Sequence, residues 1–467
     1  VCTRLRRVRS APHAQWYSRE SGKSLAIPLS TNHESRSYTL RIVITTFGSY
    51  GDLHPYLALG RGLTQRGHTV VIATSGGYRT NVEQAGLQFA AIRPDLNDFG
   101  PYAEVARRVY NPRTGPECMV RELVMPVFAA TYDDLEAATE GADLLLTHVL
   151  SYAGQLLART RQLPWVSTVL SPMVFMSVYE PPVLPPAPWL RSLWKFSPAL
   201  YRLVFAAFRA STRHWADPVR EFCRQRGIAL PQGDLMFELP YSPYGTLAMF
   251  SPLLAERQQD WPANTRVTGF CAYADAPPPA DVAARIESFL AHGEPPIVFT
   301  LGSSAVYVAG DFYSQALEIA RRLGRRALLL TGPRSADAQP LESADALAVE
   351  YAPYPSVLPH AAAVVHQAGI GTLAHAMRAG HPMLIVPFSH DQPDNARCAE
   401  RLHIARVIAR KRFTVRTGEA ALRDLLNDQR YAQAARDVAG RLASEDGVRS
   451  ACEVLERVMD AGILPPR

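Results

Sequence analysis

Short apolar runs, each followed by a glycine-containing turn and a helix-period segment, recur along this chain. Residues 40–46 (LRIVITT) form the first run and end in Phe47-Gly48-Ser49-Tyr50-Gly51-Asp52. Leu57, Leu59 and Leu63 then follow a helical period that Gly67 stops. Residues 69–74 (TVVIAT) read as a second buried strand, and residues 78–85 as a helix ending at Gly86. Strand, glycine turn, helix, strand is the repeating unit of a parallel sheet. Further strands are expected at 143–147 and 165–169. The same alternation restarts late in the chain: strands at 297–301, 327–331, 348–351, 362–365 and 383–386, with helices near 312–323, from Gly371 and from Asp391.

Two stretches break the pattern. Pro181, Pro182, Pro185, Pro186 and Pro188 forbid a regular helix or central strand through 181–188. They lie in a segment, 170–210, crowded with Pro172, Met173, Phe175, Met176, Tyr179, Trp189, Trp194 and Phe196. Such a stretch is either a packed loop or the lining of an apolar site, and loops over parallel sheets are where sites form. The second break, Ala276-Pro277-Pro278-Pro279-Ala280, reads as a stiff linker. With 467 residues the chain exceeds one ordinary core. The expected organisation is a disordered leader at 1–37, an N-terminal domain at 38–272, a linker at 273–293 and a C-terminal domain at 294–467.

Charge changes this picture only at the start. The chain has 49 basic and 43 acidic residues, net +6, but residues 1–37 alone carry seven basic groups against Glu20 and Glu34. The remainder is close to neutral, so no nucleic-acid partner is expected. The leader has no apolar stretch of the kind a secretory signal needs and resembles a transit peptide only in composition. Cys2, Cys118, Cys223, Cys271, Cys398 and Cys452 are widely spaced, which suggests neither a zinc site nor a redox pair. Reduced thiols and a cytoplasmic location are the expectation. No apolar run reaches the ~18 residues of a membrane span.

The chemistry concentrates in 351–395, YAPYPSVLPHAAAVVHQAGIGTLAHAMRAGHPMLIVPFSHDQPDN. A strand runs into His366-Gln367-Ala368-Gly369-Ile370-Gly371-Thr372 and then a helix. Gly369 and Gly371 let ligand atoms approach the backbone, and the helix start offers free N–H groups, which together suit a phosphate. Asp391-Gln392, after the next strand, suits sugar hydroxyls; Asp391 is equally well placed to cap a helix.

In order, Tyr351, Pro353, Leu358, His366, Gly369, Gly371, Thr372, the 380–382 turn, Pro387, Asp391-Gln392 and Asn395 resemble the donor-binding signature of family-1 glycosyltransferases. Gly48-Ser49-Tyr50-Gly51-Asp52-Leu53-His54-Pro55 resembles the opening of the branch holding sterol and antibiotic glycosyltransferases and the rhamnolipid rhamnosyltransferase. Gln259-Asp260-Trp261-Pro262, Val267-Thr268-Gly269-Phe270 and Phe299-Thr300-Leu301-Gly302-Ser303 add to it. The resemblance implies the α/β GT-B fold, two Rossmann-like domains facing each other across a cleft. It implies inverting transfer of a hexose from a nucleotide-sugar, which is a co-substrate, with no cofactor and no metal. Asp52 holds the base position, with His54 as the alternative, helix capping as its plainer role and His148 near a helper position. An alcohol loses its proton to a carboxylate only as bond formation acidifies it, so placement matters more than basicity. Ser303 and the glycine turn would contact diphosphate, Tyr351 would stack on the base, and backbone at Ala352 would bind its edge.

Two positions depart from the family pattern. Where its histidine usually stands the chain has Gln367, with His366 one residue earlier, and either reaches toward phosphate. Where many UDP-sugar enzymes have a ribose-binding glutamate the chain has His375, which leaves dTDP-sugars open beside UDP-sugars. The expected acceptor is an apolar hydroxyl compound or lipid, with a weak membrane contact around Trp189, Arg191, Trp194 and Lys195. The competing reading is a non-catalytic nucleotide-sugar or lipid-binding protein that kept the fold.

Overall fold

A computed structural model describes residues 39–273, 277–333 and 341–459. The leader expected at 1–37, residues 274–276 of the expected linker, and residues 334–340 and 460–467 of the expected C-terminal domain lie outside these residues. Strands β1 (Arg41–Thr45), β2 (Thr69–Thr74), β3 (Gln88–Ala91), β4 (Leu144–His148), β5 (Trp165–Val169), β6 (Thr246–Ala248) and β7 (Thr265–Val267) form one sheet in the order 3-2-1-4-5-6-7. Strands β8 (Ile297–Thr300), β9 (Ala327–Leu330), β10 (Ala346–Val349), β11 (Ala363–His366), β12 (Met383–Ile385) and β13 (Ala405–Val407) form the other, in the order 10-9-8-11-12-13. Every pairing is parallel, β1 against β4 and β8 against β11 included. Parallel strands are covered on both faces, which explains their unbroken apolar runs: β4, β5, β8, β9 and β11 are buried along their whole length.

In both sheets the strand order reverses between a first strand and its neighbour, β1/β4 and β8/β11. Crevices at such points, beyond the carboxyl ends of the strands, are where ligands bind in open parallel sheets. The motifs singled out above sit there. Asp52 follows β1, His148 ends β4, Ser303 follows β8 and His366 ends β11.

Within the linker expected at 273–293, residues Ala280–Ala291 form a helix. The last described helix, Gly447–Val458, packs in the first half of the molecule. Helix Gly447–Val458 lies against helix Tyr50–Gln65, so closely that a Cβ on Gly62 would stand 2.4 Å from Val448. The bidentate Arg66–Glu456 pair, at 2.9 Å, fastens the same contact. Among the described residues no helix is long and apolar enough to cross a membrane.

Candidate active site

The loop after β1 is built around Asp52. Ser49 caps helix Tyr50–Gln65, accepting from Gly51 N–H, and Asp52 completes a capping box. Its Oδ2 accepts from Ser49 N–H at 2.8 Å and from the Ser49 hydroxyl at 3.2 Å. Gly48 makes this possible: its φ is +140°, and a Cβ there would come within 2.2 Å of Asp52 Oδ2. Capping therefore occupies one oxygen and leaves the other out of the cap. Oδ1 faces Nε2 of His148 at 3.8 Å, and the carboxylate keeps 34% of its side-chain surface exposed. His148 is buried, and burial holds its pKa below the usual imidazole value. Its Nδ1 accepts from Leu150 N–H at 3.4 Å, which puts the proton of the neutral ring on Nε2, toward Asp52. His54 is placed differently, its ring 5.2 Å from those of both Tyr50 and Tyr273.

Across the cleft, β11 passes through a strained turn. Ala368 is buried with φ +66°, a left-handed conformation rare for alanine. Its N–H donates to His366 Nδ1 at 3.1 Å, and its carbonyl accepts from Asn395 Nδ2 at 3.0 Å. His366 is wholly enclosed, its pKa pushed down to about 3 by burial, so the ring is neutral and internal. Gln367 is the residue turned toward the glycine turns. Cβ atoms on Gly302 and Gly369 would stand 2.3 Å and 2.9 Å from its Nε2, and its buried Oε1 has no hydrogen-bond partner. Gly369 is the N-cap of helix Ile370–Ala379, and no side chain caps that end. The space before Gly371 is open, with no atom within 4 Å of where a Cβ would stand. The result is a helix start with free N–H groups, facing open space beside Gln367. Thr372 is buried 3.4 Å from Tyr354 Oη, which also reaches Thr300 Oγ1. His375 sits on the same helix, its ring 5.6 Å from that of Tyr354. Ser303 is exposed on the turn after β8, and Tyr351, 45% exposed, follows β10 beside buried Ala352.

The loop after β12 closes the site. Asp391 stands at the N-cap position of helix Gln392–Arg401, yet its side chain does not cap. Its carboxylate accepts from Asn395 Nδ2 at 2.7 Å, and burial pushes its pKa up to about 7. Gln392 uses its carbonyl oxygen to hold the loop, accepting from Phe388 and Ser389 N–H at 2.8 and 3.2 Å. His390, with φ +55°, sets its ring edge-on to Tyr110 at 5.4 Å. The Asp52 charge bears on the ionisation of both His390 and Asp391. Asn395, part of the signature but given no role there, is the joint of the site. It binds the Ala368 carbonyl and Asp391, and its Oδ1 accepts from Ser171, the second residue after β5.

The expected lining at 170–210 divides three ways. Phe175 stacks on Trp261 at 4.0 Å within the core. Met173, Met176 and Trp194 pack on a satellite cluster of Leu184, Leu190 and Tyr201. Tyr179, Trp189 and Phe196 are exposed. The segment also contains helices Leu190–Phe196 and Pro198–Thr212, which the proline count obscured. Its start is strapped to helix Gln392–Arg401: Glu180 pairs with Arg397 and Arg401, and Val183 N–H donates to Asp394 at 3.0 Å. The two domains meet again where Tyr102 Oη donates to Ser304 Oγ at 3.2 Å. Beside this contact, Arg107, Tyr110, Tyr307 and Arg410 line a cleft of about 470 Å³. Among the described residues no three His, Cys, Asp or Glu side chains are grouped to hold a metal, and the five cysteines there are free and buried.

The family is fixed by comparison with known proteins. Residues 42–123 match the glycosyltransferase family 28 N-terminal domain, and residues 259–440 the UDP-glucoronosyl and UDP-glucosyl transferases. The chain is 33% identical over 427 residues to O-mycaminosyltylonolide 6-deoxyallosyltransferase of Streptomyces fradiae, covering 89% of this chain and 97% of that protein. In structure it is similar to the glycosyltransferase of kitacinnamycin (TM-score 0.67, 22% identity, 90% and 99% of the two chains). It is also similar to the glycosyltransferase VinC in complex with dTDP (TM-score 0.62, 20% identity, 90% and 100%). The chain belongs to the GT-B glycosyltransferases. It is a hexosyltransferase that uses nucleotide-sugars, which sets aside the reading as a non-catalytic binding protein.

Proposed function

We propose that this enzyme transfers a hexose, with inversion, from a nucleoside-diphosphate sugar to a hydroxyl of an apolar natural product or lipid. The observation that carries the proposal is the divided role of Asp52. One oxygen is fixed by the helix cap, and the other is left beside His148. A base held in this way is oriented before the acceptor arrives. As the acceptor oxygen attacks the anomeric carbon, its proton passes to Asp52 and the nucleoside diphosphate leaves. His148 acts on Asp52 and not on substrate, keeping Oδ1 directed into the cleft. The departing diphosphate gains negative charge, which the N–H groups at the start of helix Ile370–Ala379 and the Gln367 amide offset. Asp391 and Gln392 meet the sugar hydroxyls, and Tyr351 and Ala352 take the base. We place the enzyme in the cytoplasm, where its free cysteines stay reduced.

The donor we favour is a dTDP-sugar. His375 stands where a ribose-binding glutamate would serve a UDP-sugar, and two of the similar proteins point the same way, one bound to dTDP and one named for a deoxyhexose. Thermal melting with a panel of dTDP- and UDP-sugars tests this, because a ligand stabilises the fold that binds it. A dTDP-hexose is expected to raise the melting temperature most. Stabilisation by UDP-glucose alone would reverse the assignment. With the best donor, a long-chain hydroxy acid and a flavonoid are expected to be glycosylated. If only a water-soluble sugar is glycosylated, the apolar acceptor is wrong.

A further inference from the structure

Eight large apolar side chains stand out as exposed among the described residues, and five of them share one small region. They are Tyr179 (42%), Trp189 (62%), Phe196 (88%), Leu200 (44%) and Leu203 (67%). The last three lie on or beside helix Pro198–Thr212, which buries only Tyr201 and Thr212 of its 15 residues. A helix so apolar and so little covered is unusual on a water-exposed surface.

The charge of the same region is one-sided. Residues 181–216 contain Arg191, Lys195, Arg202, Arg209 and Arg213 and no Asp or Glu. The acids that border it are already committed. Glu180 pairs with Arg397 and Arg401, Asp234 and Glu238 with Arg209, and Asp217 with Arg220. Asp260 accepts from Ser177 Oγ and Val178 N–H. A surface that joins Trp, Phe and Leu to Lys195, Arg202 and Arg213, which pair with no acid among the described residues, matches a bilayer of anionic lipid, where apolar groups enter the acyl boundary and cations meet phosphates. A second copy of the same face fits poorly, since it would set positive charge against positive charge.

We propose that the two helices Leu190–Phe196 and Pro198–Thr212 are a membrane-docking face selective for anionic lipid. Trp189, Phe196, Leu200 and Leu203 insert, while Lys195, Arg202 and Arg213 bind headgroups. The loop leading into this face is tied to the site by Ser171 on Asn395 and Val183 on Asp394, so docking brings the mouth of the cleft to the bilayer. That last benefit rests on the apolar-acceptor reading; the docking itself does not.

Vesicle flotation of the full chain tests docking without any turnover. The wild type should float with vesicles containing phosphatidylglycerol, far less with phosphatidylcholine alone, and should be released by high salt. Trp189→Ser with Phe196→Ser should lower recovery by about tenfold or more. Lys195→Glu with Arg202→Glu should abolish the preference for anionic lipid. All four positions are on the surface, and circular dichroism checks the fold. The proposal is overturned if the wild type stays in the aqueous fraction with both vesicles, or if the double variants float as it does. It is also overturned if light scattering shows a dimer that Trp189→Ser with Phe196→Ser makes monomeric. None of these results bears on glycosyl transfer, so their failure leaves the enzymatic reading standing.

Discussion

Asp52→Asn is expected to lower turnover by roughly two orders of magnitude or more, the usual scale for a lost acid–base group, with donor affinity and melting temperature nearly unchanged. Asparagine keeps an oxygen that accepts from Ser49 N–H, so the capping box that holds the start of helix Tyr50–Gln65 survives. What it loses is the carboxylate oxygen beside His148. Alanine is a poorer test, because it also removes the capping-box bonds that Asp52 accepts from Ser49. His54→Asn is the control: its ring lies against Tyr50 and Tyr273 and it should retain most activity. The measurement is steady-state turnover beside calorimetric titration of the donor. Near-normal turnover of Asp52→Asn, with His54→Asn inactive, would move the base to His54.

Gly371→Val is expected to weaken donor binding by about a hundredfold or more, the loss of two charge-assisted hydrogen bonds, while the protein folds normally. A Cβ at this position meets nothing in the unliganded protein, so any penalty appears only when a diphosphate needs the space. Gly369 is a less clean choice, since a side chain there also displaces Gln367. With backbone N–H groups and the helix dipole in the proposed role of offsetting the leaving charge, wild-type activity should be indifferent to EDTA. Titration of the donor into wild type and variant reads the first effect. Equal affinity in both, or a strict requirement for a divalent ion, would remove the helix start from the donor site.

Much of this was legible because buried parallel strands write themselves as apolar runs and their turns as glycine. The first element read, 40–46, became β1, and Asp52 fell at its switch point. Ser49 with Asp52 three residues on is also a capping pattern that sequence displays, and the carboxylate proposed as the base is the one that completes the cap. His366 and Gln367 were indistinguishable because β11 is buried on both faces, so alternation names no ligand side. Only the approach of Gln367 to Gly302, which comes from a different strand, separates them. Asn395 stood in the signature, but its partners Ala368, Asp391 and Ser171 come together only in three dimensions. Just beyond the dense prolines of 181–188, residues 190–212 carry a local helix signal: Ser197-Pro198 is a capping residue followed by proline at the first helical position. The return of helix Gly447–Val458 to helix Tyr50–Gln65 had no local sign at all.

Inverting transfer from a base on the Asp52 side of the cleft is tested most directly by the anomeric configuration of the product. A nucleotide-sugar of known configuration is incubated with enzyme and a hydroxylated apolar acceptor, and the one-bond carbon–proton coupling at the new anomeric centre is read by NMR. Single displacement assisted by Asp52 predicts a glycoside of configuration opposite to the donor, with none formed by Asp52→Asn on the same timescale. A product that keeps the donor configuration would contradict it.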